Sequence, residues 1–523
     1  MGLIYLKKKT VIGLATSGLF VMGSLLSTAI PTFAAQKNDV KTTVPYNVLN
    51  KKKDVKTTTP IKHVVVIFQE NVSFDHYFAT YPYALNIKGE PQFKAKPNTP
   101  AVNNLLTPKD YNGTQPGIEK ANLITNNPNS ANPVRLDRSQ AMTPDMDHEY
   151  HDEIKATDGG KMDQFVNGTG NGNNIVMDYY DGNTVTGLWN YAQNFAMSDN
   201  SFGTTYGPST PGALNLISGE LNGSTLYSKN MTQNGQAVPG DVYNVYEGRT
   251  VTGDADPYFD NASSGKTLAM DNTNKNVGNL LNAKGITWGW FEGGFADPTH
   301  KTPNMSGALQ TDYSPHHEPF QYYQSTANPN HVAPSSPAMI GKTDQANHQY
   351  DMKDFWTTVD KGNMPSVSYL KAPKAQDGHA GYSDPLDEQK FIVDTINKLQ
   401  KTPEWKDTAV IVSYDDSDGW YDHVYGPNNG YSETSGKAGY GPRLPLMVIS
   451  PYAKSNFVDH THTDQSSILK FIEDNWNLGR IGGTSLDAKA GSLNNMFDFS
   501  HGPRNPKLFL DPTTGEPSNG KNE

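Results

Sequence analysis

No cysteine occurs among the 523 residues, so no disulfide framework can hold this chain together, and its core must be large enough to do so unaided. A chain of this length permits that. Positive charge is also in short supply: 43 Lys and Arg face 54 Asp and Glu, a formal net charge of -11. An acidic surface argues against nucleic acid as a partner and gives no help at anionic membranes. Long apolar runs are scarce too. The only one, Val11 to Leu26, follows Lys7, Lys8 and Lys9 and precedes the small residues Ala34 and Ala35, the pattern of a cleaved signal peptide. It is interrupted by Gly13, Ser17, Gly18, Gly23 and Ser24 and is shorter than the roughly 20 apolar residues a span needs. The expectation is a signal peptide over 1–35 and a mature protein that is secreted, with no stable membrane insertion. Hydrophobic residues make up only 35%, with 47 Gly and 35 Pro, which suggests long loops around a compact core; 10% aromatic residues are too many for global disorder.

After the signal comes a Lys/Thr/Asp/Pro segment in which DVKTT occurs twice, at Asp39–Thr43 and Asp54–Thr58. It reads as a flexible leader over 36–60, able to bridge a cell wall. Ordered structure should begin at His63, where HVVVIF is a short β-branched run. Further buried-strand candidates are Ile286–Phe291, Ser366–Leu370, Ala409–Tyr414 and Leu446–Ser450. Two amphipathic helices stand out: Pro385–Lys401, with Asp384 as N-cap, and Gln465–Leu478, after Asp464. Short continuous strands alternating with helices imply an α/β fold with a mainly parallel central sheet covered on both faces. The stretches 100–132, 222–275 and 327–349 lack periodicity and are expected to be surface insertions. Residues 61–523 are expected to form one large domain.

In open α/β sheets ligands bind beyond the carboxyl ends of the strands, so the polar residues that follow each apolar run are the ones to inspect. HVVVIF leads into Gln69-Glu70-Asn71, and AVIVSY leads into Asp415-Asp416-Ser417-Asp418. Such carboxylates could be ordinary caps and turn formers. Two acidic strand ends together point instead to a divalent cation, which relieves the repulsion between them. In FGTTYGPSTPGALNLISG a loop of small residues ends at Ser209-Thr210, with a helix expected from Pro211; a hydroxyl there sits where helix N–H groups favour negative charge. Ser-Thr-Pro is equally a plain N-cap. His148, His316, His317 and His379 lie in polar, Gly/Pro/Asp-rich surroundings suited to binding phosphate oxygens or protonating a leaving group. His300, His331 and His348 have equally polar neighbours, and spacing does not separate them.

Six stretches combine into a resemblance: HVVVIFQENVSFDHYF at 63–78, DHEYHD with GGKMDQF at 147–165, GPSTPGALNLISG at 207–219, SYDDSDGWYDHV at 413–424, GPRLPLMVISPYA at 441–453 and QSSILKFIEDNW at 465–476. The chain resembles the bacterial phosphoesterases that include phospholipases C and secreted acid phosphatases, a branch of the alkaline phosphatase superfamily. The resemblance implies an alkaline-phosphatase-like fold and a hydrolase of phosphoric esters. It implies Ser209 as nucleophile and ligand, Glu70, Asn71, Asp415 and Asp416 as ligands of a divalent metal ion of unknown identity, and His148, His316, His317 and His379 lining the phosphate pocket. Asp418, Asp422 and His423 would orient rather than touch. In that scheme Ser209 attacks phosphorus in line, a phosphoserine forms, and water releases it.

Phospholipase C members tend to carry glutamate where Asp416 stands, and often further β-rich domains. With Ser209-Thr210-Pro211-Gly212, this favours a phosphate monoester over a phospholipid as substrate, with phospholipase C the alternative. A sulfatase is disfavoured, because the chain lacks cysteine and has Ala213 where that family's arginine would stand. A non-catalytic surface or binding protein on the same fold would be expected to have broken ligands, whereas Glu70, Asn71, Ser209, Asp415 and Asp416 are all present.

Overall fold

The computed structural model describes residues 56–106, 122–227, 245–246, 249–427, 439–504 and 507–518; the expected signal peptide and most of the leader lie outside them. At the leader's end, Thr58 N donates to the Asn475 carbonyl at 2.9 Å and Thr59 Oγ1 to Asn475 Oδ1 at 2.6 Å. No helix among the described residues is long and apolar enough to cross a membrane.

An eight-stranded sheet forms the centre. Its strands are β1 (His63–Gln69), β2 (Ala196–Ser198), β3 (Trp288–Glu292), β4 (Gln349–Asp351), β5 (Val367–Lys371), β6 (Thr408–Tyr414), β7 (Leu446–Ile449) and β8 (Phe457–Asp459), in spatial order β4-β3-β5-β1-β6-β7-β2-β8. Of these, β7 alone runs against its neighbours, pairing antiparallel with β6 and β2. Every residue of β1 and β6 is buried. Side chains alternate between the faces of a strand, so burial throughout means that both faces are covered. The α/β fold expected from the sequence is therefore the one observed.

Helix boundaries follow local chemistry. Asp384 accepts from the amides of Leu386 and Asp387 at the head of Pro385–Gln400, and Asp464 from Ser466 N at the head of Gln465–Trp476, each satisfying donors that the first helical turn leaves free. The third strand begins two residues later than expected, because Ile286 N still bonds the Leu281 carbonyl of the preceding helix.

The expected surface insertions are only partly peripheral. In 222–275, strands Ser224–Tyr227, Asp256–Pro257 and Thr267–Met270 form a small sheet that buries Leu226, Val251, Leu268 and Met270. The stretch 327–349 buries Ile340, Ala346 and His348 and leads into edge strand β4. Each has too few apolar residues in register to show a period; burial comes from the large core they lean on.

Candidate active site

Adjacent parallel strands deliver the acidic residues. Gln69 pairs with Tyr414 at the last register position of β1 and β6, so Glu70 and Asp415 emerge side by side beyond the carboxyl edge. Asn71 takes a left-handed conformation at φ 59°, which asparagine tolerates better than most residues. Its backbone N–H donates to Asp415 Oδ1 at 3.0 Å, and its side-chain Nδ2 donates to Asp418 Oδ1 at 2.9 Å. The second bond fixes the orientation of the amide and leaves Asn71 Oδ1 facing the other way.

The helix Ser209–Ser218 meets these strand ends with its first turn. It begins at Ser209 itself, not at Pro211, with Pro208 as N-cap: proline suits the first turn without having to be the first residue. Ser209 Oγ is buried, 3.0 Å from Glu70 Oε2 and 3.2 Å from Asp416 Oδ2. One hydroxyl proton serves only one of these acceptors at a time. The close approach depends on Gly212, where an added Cβ would lie 2.1 Å from the Asp415 carbonyl oxygen. Glu153 ties the two loops together, accepting from Gly207 N at 2.8 Å and Ser417 Oγ at 2.6 Å.

Burial, then the charge of Glu70, pushes the Asp415 carboxyl up to about 8; burial, then Asp415, pushes Asp416 well above the usual carboxylate range. Asn71 Oδ1 and Asp415 Oδ2 are buried with no hydrogen-bond partner. Hard oxygen donors gathered this closely, with the Asn71 carbonyl oxygen left unsatisfied, fit a divalent cation. Glu70, Asn71, Asp415, Asp416 and the Ser209 hydroxyl are the residues that could hold one.

Of the four singled-out histidines, His148 and His317 touch residues of this centre, and His379 and His316 stand behind them. His148 lies 3.4 Å from Asn71 Nδ2 through Nε2 and 3.3 Å from Asp418 Oδ1 through Nδ1. Burial works to lower its pKa, but Asp416, Asp418 and Asp145 outweigh it and hold the imidazole well above the usual range. His379 stands edge-on to His148 with ring centres 6.0 Å apart, and its Nδ1 donates to the Ala380 carbonyl; burial and then the neighbouring His148 bring it down to about 4. His317 Nδ1 is 3.5 Å from Glu70 Oε1. His316 packs against His317 and faces Asp256 at 3.6 Å and Asp254 at 3.9 Å. Burial opposes the charged form of His316, yet Asp254 and Asp256 raise its pKa.

The remaining histidines are elsewhere. His300 pairs with Asp312 near the surface, His331 bridges the Phe295 carbonyl and Asp260, and His348 stacks on Trp288. Asp422 and His423 form a separate buried cluster with Asp75 around Arg443, whose guanidinium supplies the compensating charge. Asp254 escaped the sequence reading and also accepts from Thr210 N at 2.8 Å, capping the Ser209 helix. Lys371 was missed as well. Its Nζ donates to Glu70 Oε1 and lies 3.5 Å from Asp415 Oδ2. The same strand-end logic, carried one residue past Leu370, would have found it.

The Phosphoesterase family model matches residues 61–479, and the chain belongs to that family. It is 22% identical over 481 residues to a non-hemolytic phospholipase C of Pseudomonas aeruginosa, covering 85% of this chain and 58% of that protein. A non-hemolytic phospholipase C of Burkholderia pseudomallei is 25% identical over 451 residues, covering 80% and 55%. Phospholipase C B of Mycobacterium tuberculosis is 22% identical, covering 87% and 80%. The chain thus spans somewhat over half the length of the first two relatives. Among solved structures, an alkaline phosphatase superfamily protein from Vibrio parahaemolyticus matches 58% of this chain and 63% of its own at 12% identity, with a TM-score of 0.28.

Proposed function

We propose that this protein is a secreted, metal-dependent phosphoric-ester hydrolase with Ser209 as its nucleophile, acting on phosphate monoesters. The observation that carries the reading is the placement of Ser209 Oγ within 3.2 Å of carboxylates from two adjacent strand ends, beside the buried Asn71 Oδ1, which has no hydrogen-bond partner. Glu70, Asn71, Asp415 and Asp416 would hold a divalent cation, which supplies Lewis-acid polarisation of a phosphoryl oxygen and favours the ionised hydroxyl. Ser209 Oγ attacks phosphorus in line, the bond to the ester oxygen breaks, and the phosphoryl group is carried as phosphoserine until water displaces it. His148, His316, His317 and His379 line the phosphoryl pocket; His148 and His316, whose charged forms neighbouring carboxylates favour, bind the phosphoryl oxygens, and one of these two passes a proton to the departing alcohol oxygen.

The residues at the outer edge of the centre support a small, soluble ester. Asp145 is 54% exposed beside His148 and Asp254 is 26% exposed beside His316, whereas a lipid substrate calls for apolar surface next to the site. The second reading, phospholipase C, is favoured by the names of the relatives. Hydrolysis of p-nitrophenyl phosphate and p-nitrophenyl phosphorylcholine, assayed in parallel with Ser209→Ala and chelator controls, separates the two. Cleavage of the monoester that both controls abolish supports the proposal, and cleavage of the choline diester alone supports phospholipase C. Cleavage of neither across several divalent metals and pH values defeats both in favour of a non-catalytic binding protein.

A further inference from the structure

The carboxyl end of β5 places a cation inside the centre that the scheme above leaves without a role. Lys371 is 1% exposed. Its Nζ donates to Glu70 Oε1, lies 3.5 Å from Asp415 Oδ2, and sits 5.1 Å from the centre of the Phe68 ring. His317 Nδ1 reaches the same Glu70 oxygen at 3.5 Å, while the other Glu70 oxygen takes Ser209 Oγ. The ammonium therefore sits between the carboxylates of Glu70 and Asp415, and the His317 imidazole lies against the same Glu70 oxygen; carboxylate oxygens with an imidazole nitrogen close by suit a divalent transition metal.

We propose that Lys371 is a built-in cation of this centre, standing where a second divalent ion would otherwise bind, so that the carboxylate cluster takes one ion and not two. The inference rests on the metal-dependent reading above. Ionised Glu70, Asp415 and Asp416 together carry three negative charges. One ammonium and one divalent ion match them, and a second divalent ion between Glu70 and Asp415 would be pressed against the buried ammonium unless Lys371 gave up its charge. A tethered ammonium also holds Glu70 and Asp415 together when no metal is bound, which makes Lys371 a positioning residue for the ligands.

The experiment is a calorimetric titration of the purified full-length protein with Mn²⁺, with bound manganese counted by native mass spectrometry, for wild type, Lys371→Met and Lys371→Arg. Wild type and K371R are expected to take one ion at the centre. K371M is expected to take a second, to bind the first at least tenfold more tightly, and to unfold at a lower temperature than wild type in chelator, with Mn²⁺ restoring the loss. If K371M does not fold without metal, Lys371→Gln prepared in Mn²⁺ and counted by mass spectrometry gives the same readout. Two ions in wild type, or one ion at unchanged affinity in K371M, overturn the inference while leaving the metal-dependent hydrolase intact. A wild type that takes up no Mn²⁺, Zn²⁺ or Ca²⁺ overturns the metal reading, and this inference with it.

Discussion

Replacing Gly212 with alanine tests how the nucleophile is held. In an ordinary helix interior this change stabilises by roughly 0.5–1 kcal/mol, because alanine loses less backbone freedom. Here the new Cβ would lie 2.1 Å from the Asp415 carbonyl oxygen, 2.7 Å from its carbon and 3.0 Å from Cα. All three are backbone atoms that cannot swing aside, so helix and strand end must part by about 1 Å to restore van der Waals contact. Overpacking of this kind costs about 1–3 kcal/mol, which reverses the sign expected from helix propensity. For a chain of this size that is a fall in Tm of roughly 1–3 °C. The displaced helix carries Ser209 Oγ away from Glu70 and Asp416, and a misplacement of about 1 Å at a reacting atom can lower turnover by roughly a hundredfold. Thermal unfolding and steady-state hydrolysis of p-nitrophenyl phosphate, read as kcat and KM separately, measure the two effects. The loss should fall on kcat. A G212A protein as active as wild type and more stable would refute the close approach of helix and strand end.

Three further outcomes follow from residues behind the site. Removing the carboxylate that orients the Asn71 amide, with Asp418→Ala, should weaken Mn²⁺ binding by roughly ten- to a hundredfold, checked by the same titration; unchanged affinity would mean that Asn71 is not a ligand. Arg443→Met leaves Asp75 and Asp422 buried without their guanidinium and should cost about 3–5 kcal/mol by chemical denaturation. Lysine there should recover only part of that, since it lacks the fork that serves both carboxylates and two carbonyls. Glu388 accepts from the hydroxyls of Tyr77 and Tyr414, and burial pushes its carboxyl from 4.5 up to about 8. Between those values the folded chain keeps a proton that the unfolded chain has lost, so the part of the stability that Glu388 contributes is fully present below pH 4.5 and is lost as pH rises through 8. The contribution is up to about 4–5 kcal/mol. Denaturation midpoints at pH 5 and pH 8.5 should converge in Glu388→Gln relative to wild type, and an identical pH dependence in both proteins would rule out this assignment.

Strands β1, β5, β6 and β7, the two long helices with their aspartate caps and the α/β class could be read from the sequence because they depend on neighbours a few residues away. Apolar runs, periodicity and capping chemistry are local, and a core this large accepts the local preference. That Glu70, Asn71, Asp415 and Asp416 stand at strand ends was legible for a related reason: the apolar runs that precede them can be located in the sequence. The tertiary structure alone decided what converges there. Ser209 lies 139 residues from Glu70, and Lys371 lies 301 from it; no periodicity spans such distances, and their meeting depends on the order of strands in the sheet. The same order sets His148, His316, His317 and His379 around the centre and His300, His331 and His348 away from it, a division that spacing could not make and only the resemblance implied. It also set Lys371 against Glu70 and Arg443 against Asp75 and Asp422. A charge buried far from its partner in sequence finds compensation only when the chain has folded, and whether that partner is a lysine, an arginine or a metal ion is written in three dimensions.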